Sequence, residues 1–168
     1  MSRTLILIRH CKSDWTTDAP TDHDRVLNPR GRRDAPRIGA WLAARDLIPD
    51  TVLCSDAQRT QETWERIATR LPSQPPVSLS HALYLAEPAA MLHAIRKAAG
   101  KTVALVGHCP GILTLAWDLA AMPVADPDFG AYPTGAVTVF DFDDATWGAV
   151  EQGEIRAFVT PRSLPDPA

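Results

Sequence analysis

The chain lacks any apolar run approaching the ~18 residues that a membrane-spanning helix needs; stretches such as Leu5 to Ile8 stop far short of it. It has only three cysteines, Cys11, Cys54 and Cys109, widely spaced and without a CxxC pair. That excludes a disulfide framework and a zinc knuckle, and fits a reducing compartment. The first residues lead from Met1 straight into an apolar strand, with neither a long hydrophobic region nor a small-residue cleavage site, so no export signal is expected and a cytoplasmic location is. There is no excess of positive charge: 17 Lys and Arg face 20 Asp and Glu, for a net charge of -3. Neither nucleic acid nor a membrane is therefore expected as a partner. The GxxxxGK[ST] loop that cradles a nucleotide is also missing.

What is present describes an ordinary soluble domain. A length of 168 residues, 45% hydrophobic and 22% charged, suits one domain with a continuous core; residues 1–160 are assigned to it and 161–168 to a tail with little regular structure. Apolar runs predict strands at Thr4 to Ile8, Thr51 to Cys54, Val77 to Ser80, Thr102 to Val106, Ala136 to Phe142 and Ile155 to Val159. Helical spacing predicts helices after each of the first four. The first is capped by Asn28-Pro29 but interrupted by Pro36, which should kink it or delay its start. The second carries Thr60, Thr63, Trp64, Ile67 and Leu71 on one face. The third runs from about Pro88 to Ala99, and the fourth begins at Pro110. This alternation implies an α/β fold: a single-domain three-layer sandwich, a mostly parallel central sheet with helices on both faces, and an antiparallel edge hairpin turning near Trp147-Gly148.

Ligands of open α/β sheets gather at the carboxyl ends of the strands, and three of those ends are chemically unusual. The first strand is followed at once by Arg9-His10. The second ends in Cys54-Ser55-Asp56, with Arg59 in the next helical turn. The fourth ends in Gly107-His108. Any one of these has a bland reading, as a polar strand end, a helix cap or a hydrogen-bonded core histidine. Together they set two imidazoles and two guanidinium groups on one sheet edge. That set suits phosphoryl transfer, in which a neutral imidazole attacks phosphorus and Arg forks offset charge on the equatorial oxygens. The charge is also uneven along the chain. Residues 1–70 carry 12 basic against 10 acidic groups, and 71–168 carry 5 against 10.

The stretches Leu5 to Trp15 (LILIRHCKSDW), Ser55 to Thr60 (SDAQRT) and Val106 to Gly111 (VGHCPG) resemble the histidine phosphatase superfamily, also called phosphoglycerate mutase-like. Asp22 to Gly31, Tyr132-Pro-Thr-Gly135 and Phe158 to Arg162 resemble its small SixA-type phosphohistidine phosphatases in particular. The resemblance implies that His10 is a nucleophile that becomes transiently phosphorylated. Arg9 and Arg59 would hold the phosphoryl oxygens, and His108 would stabilise the transition state. Arg25 matches a further basic contact. Ser13 stands where relatives carry a serine near the phosphate, or is a loop-capping hydroxyl. No metal or other cofactor is implied.

Two departures bear on the chemistry. Cys11 replaces the small residue usual after the nucleophile, as an apolar filler or an oxidation-sensitive thiol. Where relatives place a general acid after the third strand, the only carboxyl group is Glu87, which could equally serve the N-terminus of the third helix. Without an acid, substrates with good leaving groups are favoured, phosphohistidine among them. There is no room for a cap insertion between the third and fourth strands, so a shallow pocket open to a protein surface is expected. The expected partner is a phosphorylated protein or, alternatively, a small phosphate monoester hydrolysed with Glu87 as acid. A non-catalytic phosphate-binding module and a metal site built from His10, His108 and cysteines are the rivals of other classes.

Overall fold

A computed structural model of the chain describes residues 2–16 and 18–165. Six strands form one sheet: β1 (Arg3–Arg9), β2 (Thr51–Ser55), β3 (Val77–Ser80), β4 (Thr102–Gly107), β5 (Val137–Phe142) and β6 (Glu154–Val159), in the order β3-β2-β4-β1-β5-β6. β3, β2, β4 and β1 run parallel, and β5 and β6 add antiparallel to β1. The helices are α1 (Pro29–Ala44), α2 (Gln58–Ala68), α3 (Pro88–Arg96), α4 (Gly111–Leu119) and a short α5 (Pro127–Ala131). No helix among the described residues is long and apolar enough to cross a membrane.

The two-residue period of the central strands splits their side chains between two cores. Ile6, Ile8, Val52, Cys54, Ala104 and Val106 pack under Ile38 and Leu42 of α1 and Trp64 and Ile67 of α2. Leu5, Leu7, Leu53, Val103 and Leu105 pack on the opposite face against Met91 and Ile95 of α3 and Ile112, Leu115 and Leu119 of α4. Because β1 feeds a helix on one face and β4 a helix on the other, a crevice opens beyond their carboxyl ends, the place where such sheets bind ligands.

Local structure refines the expectation in four places. α1 starts at Pro29, its Asn28 cap accepting from Gly31 N at 2.9 Å, and runs through Pro36 without delay. Losing one backbone hydrogen bond is outweighed there by the buried face of Ala35, Ile38 and Leu42. α3 ends at Arg96 rather than Ala99, because Lys97 N and Ala98 N turn back onto Ala94 O and Ile95 O in a tight last turn. The hairpin connection, residues 143–153, turns where expected, with a 3-10 turn at Trp147–Ala149 whose buried indole donates to Gly100 O at 2.7 Å. The assigned tail is partly structured. Pro161–Ser163 form a 3-10 turn, Leu164 is buried against the α1 side of the sheet, and Arg37 Nη2 donates to Leu164 O at 2.6 Å; residues 166–168 lie outside the described residues.

Gly31 is a tight joint between this scaffold and the crevice. A Cβ there would stand 2.2 Å from the carbonyl oxygen of Lys12, two residues past His10. Gly31→Ala should therefore cost about 1–3 kcal/mol through overpacking. Thermal unfolding should show a midpoint lowered by roughly 2–4 °C per kcal/mol for a domain of this size; an unchanged midpoint would show that the Lys12 backbone yields freely.

Candidate active site

Register alone brings the two histidines together. Ile8 pairs with Val106 and Arg9 with Gly107 in the parallel β1–β4 ladder, so His10 and His108 follow side by side, with ring centroids 5.4 Å apart. Both are buried, 6% and 2% exposed. His10 N is tied to Gly107 O at 3.1 Å, which carries the ladder one residue further.

The His10 ring has a defined tautomer. Its Nδ1 lies 2.7 Å from the carbonyl oxygen of Cys11, which can only accept, so Nδ1 carries the hydrogen and the Nε2 lone pair is left free. Burial pushes its pKa down to about 3, with the positive field of Arg59 and Arg9 adding to the effect and the Cys11 hydrogen bond opposing it. The imidazole is thus neutral at physiological pH. His108 is lowered to about 3 as well, first by burial and then by Arg59, and its Nε2 meets Ser55 Oγ at the end of β2 at 2.8 Å.

Three guanidinium groups surround this pair. Arg9 is held by Nη1 donating to Tyr132 O at 2.8 Å; the same segment returns to β1 where Gly135 N donates to His10 O at 3.0 Å. Arg59, in the first turn of α2 and 2% exposed, donates from Nη1 to Asp22 O at 2.7 Å and from Nη2 to Asp22 Oδ2 at 3.0 Å. Arg25 reaches the pocket because residues 13 and 27 form a β-bridge that folds the segment back on itself. Its Nη1 donates to Ser13 Oγ at 2.7 Å, its Nη2 pairs with Asp22 Oδ1 at 3.0 Å, and its guanidinium carbon lies 3.5 Å from the centroid of the exposed Trp15 ring. The Nε groups of Arg9 and Arg59 and the Nδ1 of His108 are buried with no partner among the described residues, an expensive arrangement in a finished core.

These residues line one hollow of about 290 Å³, to which Lys12, Leu85, Cys109 and Thr134 also contribute. A larger apolar hollow, about 580 Å³, lies between residues 121–125 and the start of β6, and Glu154 is the only ionisable group lining it. The chemistry belongs to the smaller one. Of the residues expected from sequence, His10, Arg9, Arg59, His108, Arg25 and Ser13 all line it. Glu87 does not: it is the exposed N-cap residue of α3, and it makes no side-chain cap hydrogen bond. Cys11 is fully buried beneath the site, its thiol pushed up to about 12 by burial and by nearby Asp34, so it is a neutral filler.

Two residues escaped the sequence reading. Asp22 brings the carboxylate that lines the hollow, and Tyr84, from the turn after β3, donates its hydroxyl to Asp22 and sets its ring edge-on to His108 at 5.5 Å. Burial opposes the ionisation of Asp22, but hydrogen bonds from Tyr84, Arg59 and Arg25 hold its pKa well below the usual carboxylate range. The i, i+3 spacing of Asp22 and Arg25 was the available signal.

The depressed histidines set a pH dependence of stability. In the unfolded chain both imidazoles titrate near 6.5, whereas folded they stay neutral down to about 3. The unfolded state therefore binds more protons between these limits, and stability falls as the pH is lowered through that window. The thermal midpoint should drop from neutral to mildly acidic pH, and His10→Asn should flatten the drop; an identical slope in the variant would contradict a buried neutral His10.

A profile of the histidine phosphatase superfamily (branch 1) matches residues 5–84. An uncharacterized protein of Mycobacterium tuberculosis is 33% identical over 153 residues, which cover 87% of this chain and 93% of that protein. Among solved structures, the SixA protein of Nakamurella multipartitia superposes with a TM-score of 0.81 at 27% identity, covering 96% of this chain and 97% of its own. The protein histidine phosphatase SixA complexed with tungstate shares the fold, with a TM-score of 0.75 at 16% identity over 95% of this chain and 97% of its own. With the two histidines and the arginines gathered in one hollow at the crevice of this sheet, the chain belongs to the histidine phosphatase superfamily as a SixA-like phosphatase.

Proposed function

We propose that this phosphatase removes the phosphoryl group from phosphohistidine on a protein, by way of a transient phosphohistidine on its own His10. The observation that carries the proposal is the pairing of a neutral His10, Nδ1–H committed to Cys11 O, with a hollow whose carboxylate is already ionised. A free Nε2 lone pair is what an attacking imidazole needs, and it needs no general base. Asp22, held deprotonated by Tyr84, Arg59 and Arg25, is a poor proton donor. An alkoxide leaving group requires such a donor; an imidazole does not, because solvent can protonate its other ring nitrogen.

In the reaction, His10 Nε2 attacks phosphorus while the P–N bond to the substrate imidazole breaks. Arg9, Arg59 and Arg25 face the equatorial oxygens, where incoming negative charge replaces the Asp22 carboxylate on the guanidinium groups, and His108 supplies a further hydrogen bond as charge redistributes. Water then releases phosphate from His10. The site uses no metal in these steps. The hollow is small and opens beside the exposed Trp15 and Leu85, which suits a phosphorylated side chain presented on a protein surface. Glu87 lies outside the hollow, which leaves the phosphate monoester reading without its acid.

Phosphohistidine peptides should be turned over in preference to sugar phosphates, and quenching during turnover should trap an acid-labile, base-stable phosphoryl adduct that His10→Ala abolishes. Strong sugar-phosphate activity with none on phosphohistidine, or persistence of the adduct in His10→Ala, would contradict the proposal. Glu87→Gln should leave both activities unchanged. A true general acid would instead lower monoester hydrolysis by roughly 10² or more.

A further inference from the structure

Beside the hollow, three donors converge that the phosphoryl chemistry does not use. His23 follows Asp22 in the 3-10 turn Asp22–Asp24, Asp56 joins β2 to α2, and His81 opens the 3-10 turn after β3. His23 Nε2 stands 2.7 Å from Asp56 Oδ1, His81 Nδ1 stands 3.0 Å from Asp56 Oδ2, and the three ligand atoms all lie within 4.8 Å of one another. Two imidazoles thus approach one carboxylate from separate segments, through one nitrogen each. Tyr84 steadies both rings, its centroid 4.8 Å from His23 and 5.5 Å from His81.

From this geometry we infer a binding site for a divalent transition-metal ion of the zinc and cobalt class, held by His23 Nε2, Asp56 and His81 Nδ1. The donor set is the first reason: two imidazoles and a carboxylate match the three-ligand sites of such ions, the fourth position being left to water. Fit is the second. Around a tetrahedral ion with metal–ligand distances of about 2.0–2.1 Å, neighbouring donors stand about 3.3 Å apart. The present 2.7 Å and 3.0 Å approaches to Asp56 need to open by a few tenths of an ångström, and the two imidazole nitrogens, within 4.8 Å of each other, draw to that spacing by a swing of the exposed His81 side chain. Access is the third, since the His81 side chain is 74% exposed while His23 and Asp56 are 29% and 28% exposed. An ion entering from solvent replaces the hydrogens that now lie between the imidazoles and the carboxylate. It would pin together three segments of the rim, including the turn that carries Asp22, without touching the reacting atoms.

Cobalt(II) is the probe, read by the visible d–d absorption of a nitrogen- and oxygen-ligated ion in the full chain, a signal independent of phosphatase activity and of the proposed substrate. One equivalent should bind near neutral pH, raising the thermal midpoint. His81→Ala, at an exposed position where folding is undisturbed, should weaken binding by about tenfold or more, and His23→Gln should do the same. His10→Asn should bind like the parent. Absence of the bands in the parent, undiminished binding in both His81→Ala and His23→Gln, loss of binding in His10→Asn, or a sulfur-to-cobalt charge-transfer band pointing to Cys109 would each overturn the inference.

Discussion

The parallel pairing of β1 with β4 is the constraint from which the rest of the site follows. It sets Arg9 level with Gly107 and leaves His10 and His108 to continue together past the end of the sheet. A slip of one residue would send Ile6 and Ile8 to the face now occupied by Leu5 and Leu7, exchanging the contents of two filled cores. Hydrophobic packing on both faces therefore guarantees a polar geometry that no polar interaction could hold alone.

That geometry concentrates like charge. Arg9, Arg25, Arg59 and Lys12 line one small hollow, and Asp22 is the carboxylate that meets them. Burial among guanidinium groups keeps both imidazoles neutral, and the Cys11 carbonyl then selects which nitrogen of His10 is free. The same positive field that suppresses protonation of His10 is what a phosphoryl group would neutralise. Asp22 occupies the forks of Arg59 and Arg25 in its place, a counter-charge displaced at modest cost because its carboxylate remains near solvent, 43% exposed. Binding and nucleophilicity thus share one electrostatic cause.

Those parts of the site carried by regular elements were legible in the sequence. His10 and His108 stand just past the ends of apolar runs and Arg59 in the first turn of the helix that follows another, so the strand ends placed all three on one edge. Asp22 and Tyr84 enter on 3-10 turns, which have no hydrophobic period to betray their direction, and their meeting depends on two loops converging from distant points in the chain. Glu87 stood at the right sequence interval for an acid, but the residue before Pro88 is where α3 begins, and a helix start points such a side chain to solvent. Pro36 did not delay the start of α1, because the Asn28 cap and the buried face of Ala35, Ile38 and Leu42 oppose its local cost. The short α5 carried an unused signal, Asp126 before Pro127, whose side chain caps the helix by accepting from Asp128 N at 2.9 Å.

The central claim is that His10 rests as a neutral imidazole with hydrogen on Nδ1 and a free lone pair on Nε2. Nitrogen-15 chemical shifts of the His10 ring, followed by NMR from neutral to acidic pH in the free protein, report both protonation and tautomer. A neutral Nδ1–H form that persists well below 6.5, the ordinary histidine value, is the predicted result. A ring that titrates near that value, or one that carries its hydrogen on Nε2, would contradict the account.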